Sequence, residues 1–146
     1  MLGLPTSDLG DKMNWYLLAL KKYADFATRS RRSEYWFFVL FNIIAAIVLS
    51  IIDSVTGLAS AEYGGLGPFY GLYALAVLIP SIAVGVRRLH DIGKSGWWLL
   101  LAFIPLIGAI VLIIWFVKDS EAGTNRFGPN PKEVGSATAA AAAAEV

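Results

Sequence analysis

The chain has 146 residues, 57% of them hydrophobic and only 16% charged, with a formal net charge of +1 and a mean hydropathy of +0.62. An average soluble domain carries about 45–50% apolar and about 25% charged residues, and a chain this short buries only part of its surface. The composition therefore excludes a water-soluble domain, and it excludes disorder over most of the length. With no cysteine and one histidine, disulfide frameworks, thiolate zinc sites, Cys nucleophiles and His-cluster metal sites are excluded as well. Neither a cofactor nor a nucleic-acid partner is expected.

Met1 to Lys12 is polar and carries Pro5, and reads as loose. Asn14 to Arg32 reads as an amphipathic helix. Lys21, Lys22, Asp25, Thr28, Arg29 and Arg32 form one stripe at helical spacing, and Tyr16, Leu17, Leu20, Tyr23, Ala24 and Ala27 the other. A basic stripe opposite an aromatic-rich apolar one suits a helix lying on an anionic leaflet. Trp15 to Leu20 is too short for a signal-peptide core, so no cleavable leader is expected.

Three long runs without a charge follow: Tyr35 to Ile52, Gly64 to Val86 and Ser95 to Val117. About 20 residues at about 1.5 Å each cross a hydrocarbon core roughly 30 Å thick. The predicted fold is an all-α membrane protein. Three transmembrane helices (about 35–55, 66–86 and 97–117) follow an N-terminal amphipathic interfacial helix. Residues 1–131 form one integral membrane domain, and 132–146 an Ala-rich tail read as disordered. Trp36, Trp97, Trp98 and Trp115 stand at span ends, where amphipathic rings prefer the headgroup level. Pro80 and Pro105 each remove a hydrogen bond inside a span, roughly 9 Å and 12 Å from the same end. They are predicted to splay spans two and three there.

With three crossings, nine of the twelve basic residues collect on one side. The positive-inside rule puts the N-terminus and the loop after Val86 in the cytoplasm, and the tail outside. A return of the third run between Pro105 and Gly108 would put the tail inside instead, but a run of this length suits one crossing better than two.

Two polar stretches flank the cytoplasmic span ends: Arg29-Ser-Arg-Arg-Ser-Glu-Tyr-Trp36 and Arg87-Arg-Leu-His-Asp-Ile-Gly-Lys-Ser-Gly-Trp-Trp98. Arg87 and His90 or Asp91 share a helix face at a spacing of three or four, and Glu34 is the natural partner of Arg87 or Arg88. The candidate binding residues are Arg29, Arg31, Arg32, Glu34, Arg87, Arg88, His90, Asp91 and Lys94. Basic residues at inner span ends meet a topological need, so a purely structural cluster is one reading. The other is an anion site with Arg31, Arg87, Arg88 and His90 converging on a lipid headgroup or phosphate. The chain has no GxSxG, HExxH or phosphate-loop motif and no ionisable group inside a span. A non-enzymatic role is therefore expected, with anionic lipid, a homo-oligomer or a membrane protein as partner. A transporter component and an enzyme acting on lipid or phosphate are the alternatives.

The pattern Phe26…Arg29…Arg32-Ser-Glu-Tyr-Trp36, Pro80-Ser81…Arg87-Arg-Leu-His-Asp91, Ser95-Gly-Trp-Trp98, Pro105…Gly108 and Asn125-Arg-Phe-Gly-Pro129 resembles the bacterial inner-membrane family known as domain of unknown function 805. Ala27-Thr28 departs from it, since the family usually shows a small residue and then Gly before the Arg. The resemblance implies a small multi-pass protein of the bacterial plasma membrane and supplies no activity.

Overall fold

The computed structural model describes residues 8–132. Four α-helices are present among them: α1 (Asp8–Lys21), α2 (Arg32–Val55), α3 (Pro68–Asp91) and α4 (Ile107–Val117). An eight-residue 3-10 helix, Gly96–Phe103, precedes α4. Lys132 ends the described chain, so the Ala-rich stretch beyond it lies outside the described residues, as do residues 1–7.

Helices α2 and α3 have 24 residues each and are apolar enough to cross a membrane. At about 1.5 Å per residue each is roughly 36 Å long, which exceeds a hydrocarbon core of about 30 Å. They form an antiparallel hairpin whose turn is held by Asp53. This carboxylate is buried near the end of α2 and accepts from the N–H of Phe69 (3.1 Å) and Tyr70 (3.0 Å). It thereby caps the first turn of α3, where backbone donors have no partner within the helix. A side chain at Gly67 would overlap Asp53, so glycine at this position lets the two helix ends meet.

Packing is inverted relative to a soluble bundle. Among the described residues, six of the seven buried apolar residues form two small clusters, Ala19–Phe38–Val84 and Leu89–Leu112–Phe116. Ile43, Ile47, Ile51, Leu72, Leu75 and Ile79 all face outward. A surface of this kind is stable in hydrocarbon and not in water. Polar groups inside the pair are satisfied: Tyr73 donates to Asn42 Oδ1, Asn42 Nδ2 donates to the Phe38 carbonyl (2.8 Å), and the Tyr16 and Tyr73 hydroxyls are bonded at 3.3 Å.

The predicted amphipathic helix over 14–32 is displaced. Helix α1 starts at Asp8 and ends at Lys21, so the stripe from Lys22 to Arg32 does not form. Past the helix end, Asp25 holds residues 25–28 in a local turn: its carboxylate accepts from the N–H of Ala27 (3.0 Å) and Thr28 (3.1 Å) and from the Thr28 hydroxyl. Such local bonds compete with helical ones. α1 packs across α2 at the end that carries Arg31, with Tyr16 on Phe38 and Phe41.

The third span is corrected more deeply. Residues 97–117 do not form one crossing helix. The 3-10 helix ends at Phe103, and the chain reverses through Ile104, Pro105 and Leu106, where Leu106 takes the left-handed φ of 65°. Then α4 runs back alongside it. Trp98 and Trp115, near the two open ends, meet edge to face at 5.7 Å. Gly108 lies so close to the Leu101 carbonyl that no Cβ would fit. Pro105 therefore makes a turn and not the expected kink, and α3 continues through Pro80 to Asp91. Both ends of this hairpin sit at the end of the α2–α3 pair that carries Arg87 and Arg88. The chain after Val117 thus returns to that end and does not emerge on the side opposite the arginine cluster.

Candidate functional site

The end of the molecule that carries Arg87 and Arg88 holds three buried arginines. A guanidinium has five N–H donors in a rigid fork and no acceptor, so each must find several acceptors once out of water. The last carbonyls of a helix are unpaired and carry its negative dipole end. Each buried arginine takes the carbonyl end of a different helix.

Arg87 Nη1 donates to the carbonyls of Lys22 (2.7 Å) and Asp25 (3.0 Å), just past the end of α1. Its Nη2 donates to Glu34 Oε1 at 2.8 Å. Arg88 Nε donates to the Phe116 carbonyl (3.1 Å), and its Nη2 to that of Lys118, at the end of α4. Arg29 Nη2 donates to the Asp91 carbonyl (3.1 Å) at the end of α3 and to the Glu121 carbonyl (2.6 Å). Its Nη1 reaches the carbonyls of Gly123 (2.8 Å) and Gly128 (3.2 Å).

Asp91 ties two of the three together. Its Oδ1 accepts from Arg29 Nε (3.1 Å), while Oδ2 accepts from Arg88 Nη1 (2.6 Å) and the Ser120 hydroxyl (2.6 Å). Three guanidiniums face two carboxylates, Glu34 and Asp91. The helix-end carbonyls offset the remaining positive charge. Arg87 Nε and Ser30 Oγ are buried without a partner in the chain.

The tail covers this assembly. Glu121 N–H donates to the Asp91 carbonyl at 2.8 Å. Asn125 Nδ2 donates to the His90 carbonyl (2.9 Å) and to Glu121 Oε2 (3.0 Å). The His90 ring stacks on Phe127 at 3.8 Å with planes 5° apart, and His90 Nδ1 lies 3.1 Å from the Thr28 carbonyl. At the edge, Asp119 is held below the usual carboxylate range by hydrogen bonds from Lys132 and the Ser120 N–H.

Of the nine residues singled out from sequence, Arg29, Glu34, Arg87, Arg88, His90 and Asp91 are buried at this one end, as the Arg87–Glu34 pair, the Arg29–Asp91–Arg88 trio and the His90 ring on Phe127. The acid of Glu34 pairs with Arg87, and Asp91 pairs with Arg88 and Arg29 rather than with Arg87. Arg31, Arg32 and Lys94 stand at the rim. Arg31 covers the Trp15 ring at 4.9 Å, and Lys94 covers Trp115 at 4.4 Å. Arg32 is about half exposed and lies 3.6 Å from Asp119; its Nη1 donates to the Val117 carbonyl at 3.2 Å. Sequence reasoning misses Asp25, Ser120, Glu121, Asn125 and Phe127. For the last four the signal is a turn-rich tail with interspersed Asn and Glu, which a three-crossing reading places on the side away from the arginines; Asp25 lies before α2. Among the described residues, no group of three or more His, Asp or Glu is placed to hold a metal ion.

No solved structure matches this chain. Among curated proteins it is 46% identical over 120 residues to the inner membrane protein YhaH of Escherichia coli K12, covering 82% of this chain and 98% of that one. It is 42% identical over 120 residues to the inner membrane protein YhaI of the same organism, covering 82% and 97%. The family model described as protein of unknown function (DUF805) matches residues 23–129, a range that contains α2, α3, the hairpin and all three buried arginines. The chain belongs to the DUF805 family.

Proposed function

We propose that this chain is a non-enzymatic, multi-pass protein of the bacterial inner membrane whose basic rim engages anionic lipid headgroups. Its two E. coli relatives are inner membrane proteins by name. No Lys or Arg lies between Glu34 and Val86, and the segments on either side of that stretch gather at one end of α2 and α3. All twelve basic residues therefore belong to one side, and the positive-inside rule makes that side cytoplasmic. The loop opposite carries none.

The observation that carries the lipid reading is the division of labour among the arginines. Arg29, Arg87 and Arg88 are buried and, Arg87 Nε excepted, donate to carbonyls and carboxylates of the chain itself. Arg32 is exposed and Arg31 and Lys94 are half-buried at the rim, beside Trp36, Trp15 and Trp115 in turn. Cations beside interfacial tryptophans are suited to phosphate-bearing headgroups. The His90 ring, stacked on Phe127 and bonded to Thr28, is part of the packing and supports a binding role over catalysis.

Native mass spectrometry tests this. Wild type should retain phosphatidylglycerol or cardiolipin in preference to phosphatidylcholine. Arg31→Glu/Arg32→Glu should lose that preference several-fold while keeping its unfolding temperature. Equal retention of anionic lipid by both proteins would refute the proposal.

A further inference from the structure

We infer that the hairpin formed by residues 96–117 is a half-membrane wedge, seated among the acyl chains of the leaflet that faces the arginine network and stopping near the bilayer midplane. Its arms carry the first argument. Eight residues of 3-10 helix at about 2.0 Å each and eleven of α-helix at about 1.5 Å each are both roughly 16 Å long. Half of a hydrocarbon core of about 30 Å is about 15 Å. The arms match each other and one leaflet.

Exposure carries the second. Phe103 is 82% exposed, Leu106 75% and Ile107 67%, and no charge occurs from Ser95 to Val117. The tip is thus a continuous apolar surface that no part of the chain covers among the described residues. Backbone bonding carries the third, since lipid-exposed backbone must be satisfied internally. The N–H groups of Ile104, Ile107, Gly108 and Ile110 find the carbonyls of Leu101 (2.9 Å), Pro105 (2.7 Å), Ile104 (3.2 Å) and Leu106 (3.0 Å). At the open end, Trp97, Trp98 and Trp115 stand with Lys94, which is the composition of a headgroup level. Arg88 fixes that end through Phe116 and Lys118.

The consequence is a molecule wider in one leaflet than in the other. The half nearer the arginine network holds parts of α2 and α3 together with α1 and the hairpin. Among the described residues, the other half holds α2 and α3 alone. Such a shape favours membranes in which the wider leaflet is convex.

The chain has no cysteine, so single-cysteine variants Tyr23→Cys, Glu62→Cys, Leu106→Cys and Thr124→Cys can be labelled without background. In the full chain, reconstituted into neutral phosphatidylcholine vesicles, a membrane-impermeant maleimide should reach Tyr23 and Thr124 from one side and Glu62 from the other. A fluorophore on Leu106 should be quenched most by spin labels near the acyl-chain terminus. Thr124 reacting together with Glu62 would show a third crossing and overturn the wedge. Leu106 quenched best near the headgroup would do the same. The fraction of molecules with Thr124 outward should be higher in small sonicated vesicles than in large extruded ones, and equal fractions would overturn the shape argument. Neutral lipid keeps these outcomes independent of the headgroup proposal. A retained near-ultraviolet signal from the Trp98–Trp115 pair identifies variants that remain folded.

Discussion

Arg29 and Asp91 stand 62 positions apart in sequence and 3.1 Å apart in space, with 1% and 0% of their side chains exposed. Arg29 precedes the first span and Asp91 ends the second, so the pair joins the loop before α2 to the far end of α3. Removing one partner of such a pair leaves a buried charge uncompensated, at a cost of roughly 3–5 kcal/mol. Asp91→Ala strands both Arg29 and Arg88, so it should destabilise more than Arg29→Ala. Thermal unfolding in detergent measures both, and a double-mutant cycle between positions 29 and 91 should show strong coupling.

Gly108 and Gly71 provide a contrast on the membrane side. A side chain at 108 would strike the Leu101 carbonyl, whereas nothing lies near Gly71. Gly108→Leu should force the arms of the hairpin apart and abolish the Trp98–Trp115 contact, read as a change in near-ultraviolet circular dichroism. Gly71→Leu should leave that signal unchanged.

Asp25 sets a pH response at the end of α1. Burial pushes its carboxyl up, but hydrogen bonds from the Thr28 hydroxyl and the N–H groups of Ala27 and Thr28, with Arg87 nearby, outweigh this and leave it below its ordinary value of 3.8. A carboxyl with a depressed folded-state pKa stabilises the fold fully above the unfolded value, and that contribution is lost as pH falls through the folded one. Wild type should therefore be more stable than Asp25→Asn near neutral pH. The difference should shrink below about pH 4, as followed by denaturation in detergent across that range.

Asp53 acts at the opposite end. Its loss frees the N–H groups of Phe69 and Tyr70, and losing a helix cap costs about 0.5–2 kcal/mol. Asp53→Ala should lower the unfolding temperature, and Asp53→Asn, which keeps a capping oxygen, should restore most of it.

Some of these elements are legible in the sequence and others are not, for physical reasons. Helices α2 and α3 are readable because each is a long, predominantly apolar run of the length that crosses a hydrocarbon core. The Glu34–Arg87 pair follows from two polar stretches brought to one level by an antiparallel pair of helices. The third run is ambiguous because one full crossing and two half-crossings have the same composition. Pro105 can bend a helix or end one, and the outcome here depends on Gly108 allowing the returning arm to touch Leu101. Misplacing the tail follows from that step and hides Ser120, Glu121 and Asn125 from the site. The end of helix α1 is hard to read because Asp25 and Thr28 fit a helical stripe by spacing while their oxygens prefer local partners.

The span of contacts made by Arg29 has a consequence for the order in which the protein matures. Its Nη1 binds the carbonyls of Gly123 and Gly128, 94 and 99 positions downstream. During synthesis this guanidinium must wait while α2, α3 and the hairpin are made. It is satisfied only when the last covering residues leave the ribosome. The two ends of the described chain thus close on one another like a buckle, and a chain truncated before Gly123 leaves the Nη1 group of this arginine unfastened while Nε and Nη2 stay held by Asp91 and Glu121.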